Sequence, residues 1–444
     1  MAPERALGRD DMTGIWRIRM MALAGAATLA GAPALAETSY VRAGRLVDTE
    51  KGVVLTDRLV TIQDGRITAV APYAPPPEGA VVVDWSAFTV LPGLIDTHSH
   101  LVGEVQTAGV PATTTSGAQD ALLSVRNARV TLEAGVTTVR DLGPFRAFVD
   151  CALRDTINAG ELEGPRMLCS GAFITAPWGG GDVVGLAHDI TLPADLRFGV
   201  VTSPAEVRDR VRRLLIGGAD VIKCIGTGAV LTRGGVPGAP ELSEDELRAA
   251  VVEASNYGAY VAVHAHSDEG ARRAIRAGAR SVEHGSMLNA ETIAMLADTD
   301  TFYSVDLFDG EWALEHGVAE RWPAETMRKL ADTMDTGIAA FGEAVRRGVR
   351  VTYGTDSGVY PHELVAKGLD AFVRYGMTPL GAIRSATTVA AECLGWADRV
   401  GSLAVGRFAD LVAVDGDPLA DIRVLETPTV VMKGGRLAVD RRAG

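Results

Sequence analysis

Closely spaced cysteines are missing from this chain. Its four cysteines, Cys151, Cys169, Cys224 and Cys393, are widely spaced and form no Cys-x-x-Cys motif. Nothing in their spacing requires a disulfide, so all four read as buried small hydrophobes. Basic runs are missing too: the net charge is −13, with no cluster of lysine or arginine. That excludes the electrostatic footprint of a nucleic-acid binder. No Gly-x-Gly-x-x-Gly opens a helix, which counts against an open doubly wound nucleotide-binding sheet. The 50 glycines follow no collagen-like period and read as tight strand-to-helix turns.

Long apolar runs are also scarce. One near the N-terminus, Met20 to Gly31, follows Arg17 and Arg19 and ends in Pro33-Ala-Leu-Ala36. A basic segment, a short apolar stretch and a small-x-small site read as a signal peptide over residues 1–36, with Glu37 the mature start. The alternative is an uncleaved anchor, but the run is short for a bilayer and rich in alanine and glycine. The expectation is a periplasmic or secreted protein with no stable membrane insertion after cleavage.

What is present is a large apolar fraction, 47% of 444 residues, enough to bury an extensive core. Residues 37–91 alternate in short β-like runs broken by turns and by Pro72 and Pro75-Pro-Pro77. A similar texture returns over 401–444, so the two ends are expected to build one composite β-domain. Between them, over 92–400, eight short apolar strands alternate with helical stretches such as Pro204–Leu215, Ser243–Tyr257 and Glu269–Ala277. Ser203 with Glu206, and Ser243 with Glu246, have capping-box spacing. This order predicts an α/β fold, a (β/α)8 TIM barrel carrying the small β-domain.

Polar residues stand at the ends of these strands, where a barrel gathers its chemistry. Leu91-Pro-Gly-Leu-Ile-Asp-Thr-His-Ser-His100 ends in two histidines at i and i+2, which an extended strand points the same way. Two imidazoles from one strand supply half of a divalent metal site. Lys223, His264, His266, His284 and Asp356 end other strands. A lysine inside Val221-Ile-Lys-Cys-Ile225 is costly to bury as a cation, so its pKa should fall. Asp96 reads as support for the His98 loop, and Thr137-Thr-Val-Arg-Asp141 as a strand end with an internal ion pair.

Taken in order, Pro92 to His100, Ala219-Asp-Val-Ile-Lys223, Val263-His-Ala-His266, Val282-Glu-His-Gly285, Gly354-Thr-Asp-Ser357 and Gly401 to Val412 resemble the amidohydrolase superfamily of the binuclear, carboxylated-lysine type. The nearest pattern is its imidazolonepropionase-like and prolidase-like branch, with Xaa-amino-acid dipeptidases and ochratoxin-type amidases. The resemblance implies two divalent ions, most simply Zn2+. His98, His100 and Asp356 would hold one and His264 and His284 the other, with carboxylated Lys223 and a hydroxide bridging both. Relatives often carry tyrosine where this chain has His266, which is expected to polarise the scissile carbonyl or steady the oxyanion. The alternative is a histidine that only orients a metal ligand. Asp356 is expected to carry the proton to the leaving amine.

The implied activity is hydrolysis of an amide or peptide bond in dipeptides or N-acyl amino acids, by attack of the bridging hydroxide. A cyclic-amide hydrolase of the imidazolonepropionase kind and a non-catalytic binder on the same barrel are the alternatives. The chain departs from the pattern at Trp178-Gly-Gly-Gly-Asp182, where relatives carry Gly-His-Gly, so substrate contacts are sought instead among His188, Arg233 and His362. The expected partner is a small-molecule amide or dipeptide, and the reading leaves a homo-oligomer open.

Overall fold

The structure, a computed structural model, describes residues 38–103, 111–187 and 189–442. The signal-peptide reading of residues 1–36 and the candidate His188 therefore lie outside the described residues.

Sixteen strands occur among the described residues. The first four are β1 (Thr38–Asp48), β2 (Val53–Gln63), β3 (Arg66–Pro72) and β4 (Val81–Pro92). Then come β5 (Leu94–Ser99), β6 (Val136–Asp141), β7 (Arg166–Cys169), β8 (Phe173–Ile174), β9 (Ile222–Ile225) and β10 (Val261–Ser267). They are followed by β11 (Ser281–Met287), β12 (Phe302–Val305), β13 (Val351–Tyr353), β14 (Leu411–Val414), β15 (Val430–Lys433) and β16 (Arg436–Asp440).

Both ends of the chain enter one seven-stranded sheet, in the order β16-β15-β14-β4-β1-β2-β3. It closes over an apolar cluster that includes Val41, Leu46, Trp85 and Val90 from the front and Leu411, Ala413 and Met432 from the back. Neither end could bury those faces alone.

The middle strands are parallel, and each following helix covers their outer side, as short crossover connections require. Their ladders form a three-stranded sheet, β5-β6-β7, and a six-stranded sheet, β13-β12-β11-β10-β9-β8. Strands β7 and β8 are one run interrupted at Ser170-Gly-Ala172, so the eight expected strands are all present. They are not joined into one continuous hydrogen-bonded ring. Contacts do cross between the sheets. Ser99 bridges Ser357 in parallel, the amides of Thr355 and Asp356 donate to the His98 carbonyl, and the amide of Asp220 donates to the Cys169 carbonyl.

Helix starts follow local chemistry. Ser243 caps Glu244–Asn256 with a reciprocal capping box through Glu246. Ser203 caps Pro204–Ile216 through the amide of Glu206, but the Glu206 carboxylate turns back to the Thr202 amide instead. No helix among the described residues is long and apolar enough to cross a membrane.

Two expectations are corrected here. Cys151 and Cys169 are joined in a disulfide, Cα atoms 5.4 Å apart, while Cys224 and Cys393 remain buried thiols. The pair could not be read from a separation of 18 residues, because helix packing on β7 brings the two together. Arg140 does not pair with Asp141, since neighbours on a strand face opposite ways. It donates instead to Glu283 at 2.9 Å, while Asp141 accepts the Leu101 and Gly143 amides.

Candidate metal centre

The sheet ends bring His98, His100, Lys223, His264, His266, His284 and Asp356 to the wall of one cavity of about 1120 Å³, open to solvent. Two of them stand in left-handed backbone, His284 at φ 67° and Asp356 at φ 50°. Non-glycine residues rarely adopt that conformation, and its cost concentrates at functional sites. Gly354, next to the Asp356 turn, leaves room for His98, whose Cβ would lie 2.9 Å from a Cβ added there.

Three of the histidines are anchored through Nδ1 to a hydrogen-bond acceptor. His98 Nδ1 meets Glu283 Oε2 at 3.0 Å, His100 Nδ1 the Gly143 carbonyl at 2.9 Å, and His284 Nδ1 Asp306 Oδ2 at 2.6 Å. Such acceptors place the proton on Nδ1 and leave the Nε2 lone pair for a ligand. His100 Nε2 lies 3.0 Å from Asp356 Oδ1, and His98 Nε2 lies 3.5 Å from the same oxygen and 3.3 Å from Lys223 Nζ. The donor atoms of His98, His100 and Asp356 all fall within 4.8 Å of one another. His264 Nε2 is buried without a partner among the described residues, its ring centroid 4.4 Å from that of His284. His266 Nδ1 stands 2.5 Å from Ser286 Oγ.

The electrostatics suit cation binding. Burial, then the charge of Lys223, pushes His98 well below the ordinary imidazole range; burial and the neighbouring histidines do the same to His264 and His266. Burial brings His284 down to about 4 and Lys223 down to about 8. Burial alone would raise Asp356, but the His100 hydrogen bond and the charges of His98 and His100 hold it far below the carboxylate range. Neutral imidazoles at His98, His264, His266 and His284, an ionised carboxylate that overrides burial and raises His100, and a buried nitrogen with no partner among the described residues fit divalent metal ions.

Asp96 supports the site as expected, accepting the His98 and Thr355 amides. The other substrate candidates lie apart. Arg233 is exposed and outside the cavity lining, although its side chain passes within 4 Å of where one on Gly185 would begin, beside the lining residue Val184. His362 is buried, also outside the lining, and both its ring nitrogens lack a partner among the described residues. Sequence reasoning missed Glu283 and Asp306. Asp306 ends β12 just as the recognised ligands end their strands, and that position was the available signal.

The chain's likeness to known proteins agrees with this site. The amidohydrolase family matches residues 89–438. Ochratoxinase from Aspergillus niger is 31% identical over 427 residues, covering 90% of this chain and 87% of its own. The structure of an Xaa-Pro dipeptidase with methionine in its active site superposes with a TM-score of 0.85 at 35% identity, covering 90% of this chain and 99% of that one. A prolidase complexed with N-methylphosphonate-L-proline superposes at 0.85 with 30% identity, covering 91% and 100%. Site and likeness together define a hydrolase acting on amide C–N bonds. The chain belongs to the amidohydrolase family, in the branch of the prolidases and ochratoxinase.

Proposed function

We propose that this protein is an exported, zinc-dependent hydrolase of dipeptides or N-acyl amino acids, built as a closed (β/α)8 barrel over 92–400 with a β-domain from 37–91 and 401–444. The Ser99–Ser357 bridge across the sheets supports closure. The apolar segment within residues 1–36 supports export, and the Cys151–Cys169 disulfide suits an oxidising compartment.

His98, His100 and Asp356 would hold one ion, and His264 and His284 the other, with Lys223 between them as a carbamate. Once bound, the ions make hydroxide available near neutral pH and polarise a carbonyl. Lys223 is prepared for its part because burial brings its amine down to about 8, leaving a neutral fraction that can add carbon dioxide. His266, steadied by Ser286, faces the cavity as the donor that orients the scissile carbonyl. Asp356 accepts the proton released on attack and delivers it to the leaving nitrogen. Arg233, outside the cavity lining but beside Gly185, is the candidate to meet the substrate carboxylate.

The observation that carries this reading is the unpartnered His264 Nε2 in the same cavity as Lys223 and the His98–His100–Asp356 group. The zinc-loaded protein should bind about two equivalents and hydrolyse members of a dipeptide and N-acyl-amino-acid library, and a chelator should abolish turnover until zinc is restored. Activity confined to cyclic amides would overturn the reading.

A further inference from the structure

One hydrogen bond in the cavity differs in kind from its neighbours. His98, His100 and His284 each turn Nδ1 toward an accepting oxygen, on Glu283, the Gly143 carbonyl and Asp306. His266 Nδ1 instead meets a hydroxyl, Ser286 Oγ, which can donate as well as accept. That nitrogen is the only hydrogen-bond partner of Ser286 Oγ among the described residues, so the hydroxyl proton has no other acceptor there. His266 Nε2 makes no hydrogen bond among the described residues, and both side chains line the cavity.

The pair is held on several sides. The His266 amide donates to Thr227 Oγ1 at 3.1 Å, and its ring stacks on that of His284, centroids 5.1 Å apart. Ser286 follows two successive left-handed residues, His284 at φ 67° and Gly285 at φ 56°. The cost of such backbone for a non-glycine residue concentrates at functional sites. Gly337, inside the helix Ala324–Arg347, packs against the serine, since a Cβ there would lie 3.3 Å from Ser286 Cβ. A mid-helix glycine costs stability, and here it leaves room for Ser286.

We propose that Ser286 is a positioning residue that sets the tautomer of His266. Its hydroxyl donates to Nδ1, so the ring proton sits on Nε2 and is left to meet the carbonyl oxygen of a bound amide. The accepting anchors do the reverse for His98, His100 and His284, whose Nε2 lone pairs stay free for an ion. A hydroxyl in place of a carboxylate or carbonyl therefore separates the donor histidine from the ligand histidines. This rests on the amide-hydrolase reading above and names the residue that keeps His266 a donor.

The test reads the tautomer directly. Zinc-loaded protein, isotope-labelled at the histidine nitrogens, is examined by long-range proton–nitrogen correlation NMR, with His266 assigned by its loss in His266→Gln. The wild type should carry the His266 proton on Nε2, and Ser286→Ala should show a fraction protonated on Nδ1. On a substrate from the library, Ser286→Ala should lower kcat by about tenfold to a hundredfold, with KM and zinc content unchanged. Ser286→Thr, which keeps the hydroxyl, should restore most of the rate. A wild-type His266 protonated on Nδ1, or bound to zinc through Nε2, would overturn the assignment. So would full kcat in Ser286→Ala, or a loss of zinc in step with turnover, which would make the serine a support of the metal ligands. A wild type that hydrolyses no amide would overturn the amide-hydrolase reading alone, because the spectrum still decides the tautomer. If the serine variants do not fold, the wild-type spectrum decides by itself.

Discussion

Asp356 and His362 illustrate what a single buried group can cost or contribute. The Asp356 carboxylate is held by the His100 contact in a strained left-handed turn. A ligand that also moves the proton should lose far more turnover than metal on neutralisation. Asp356→Asn is therefore expected to lower kcat by about 10²–10⁴-fold while bound zinc, measured by elemental analysis, falls by less than half. Full activity in that variant would leave Asp356 only a structural role.

His362 has the opposite character, since neither ring nitrogen has a partner among the described residues and burial pushes its pKa down to about 3. The folded state keeps it neutral, whereas the unfolded chain protonates it near 6.5. Its folded pKa is depressed, so stability is complete above about 6.5 and is lost as the pH falls toward 3, by at most about 1.4 kcal/mol per pH unit. His362→Phe removes both the unpaired nitrogens and this proton. The metal-free variant should melt above the wild type at pH 7, and the gap should widen by pH 5. Asp96 and Asp150, whose pKa burial raises to about 7, lose stability in the opposite direction, but both proteins share them and the difference cancels. A gap independent of pH would show that His362 is not the titrating group.

At the scale of strands, Arg140 joins three of them. From β6 it donates to the Thr97 carbonyl of β5 and to Ser281 and Glu283 of β11, and Glu283 in turn holds His98. Removing the guanidinium leaves a fully buried carboxylate without its cation, a loss of about 3–5 kcal/mol. Arg140→Met should lower the urea midpoint accordingly, and should weaken zinc affinity because His98 loses its support. Unchanged affinity in a folded variant would separate this network from the site.

The strand ends that carry His98, Lys223, His264 and Asp356 were legible because each interrupts an apolar run at the point where chemistry collects. Arg140, Glu283 and Asp306 were not, because their roles depend on which strand lies opposite, and periodicity along one strand carries no such information. The breaks in the ladders were equally hidden. They arise from local turns such as Ser170-Gly-Ala172, which leave the alternation of strand and helix unchanged.

For the molecule as a whole, the decisive contact is between its two ends. Strand β14 lies between β4 and β15, and its neighbour Asp410 takes the Arg166 guanidinium of β7 at 2.8 Å. Asp410 also accepts the Gly93 amide through its carbonyl, at the step from β4 into β5. The last 44 residues thus cover the edge of β4 and brace the first and third strands of the parallel region. A chain ending at Val400 would present β4 as an unpaired edge beside the uncovered apolar face of Trp85 and Val90. Exposed edges and faces of that kind recruit other copies. The truncated chain should therefore partition into the insoluble fraction, and any soluble part should bind less zinc, because β5 carries His98 directly after the lost brace. A soluble truncation with full zinc content would mean that the parallel strands fold and position the site without the composite sheet.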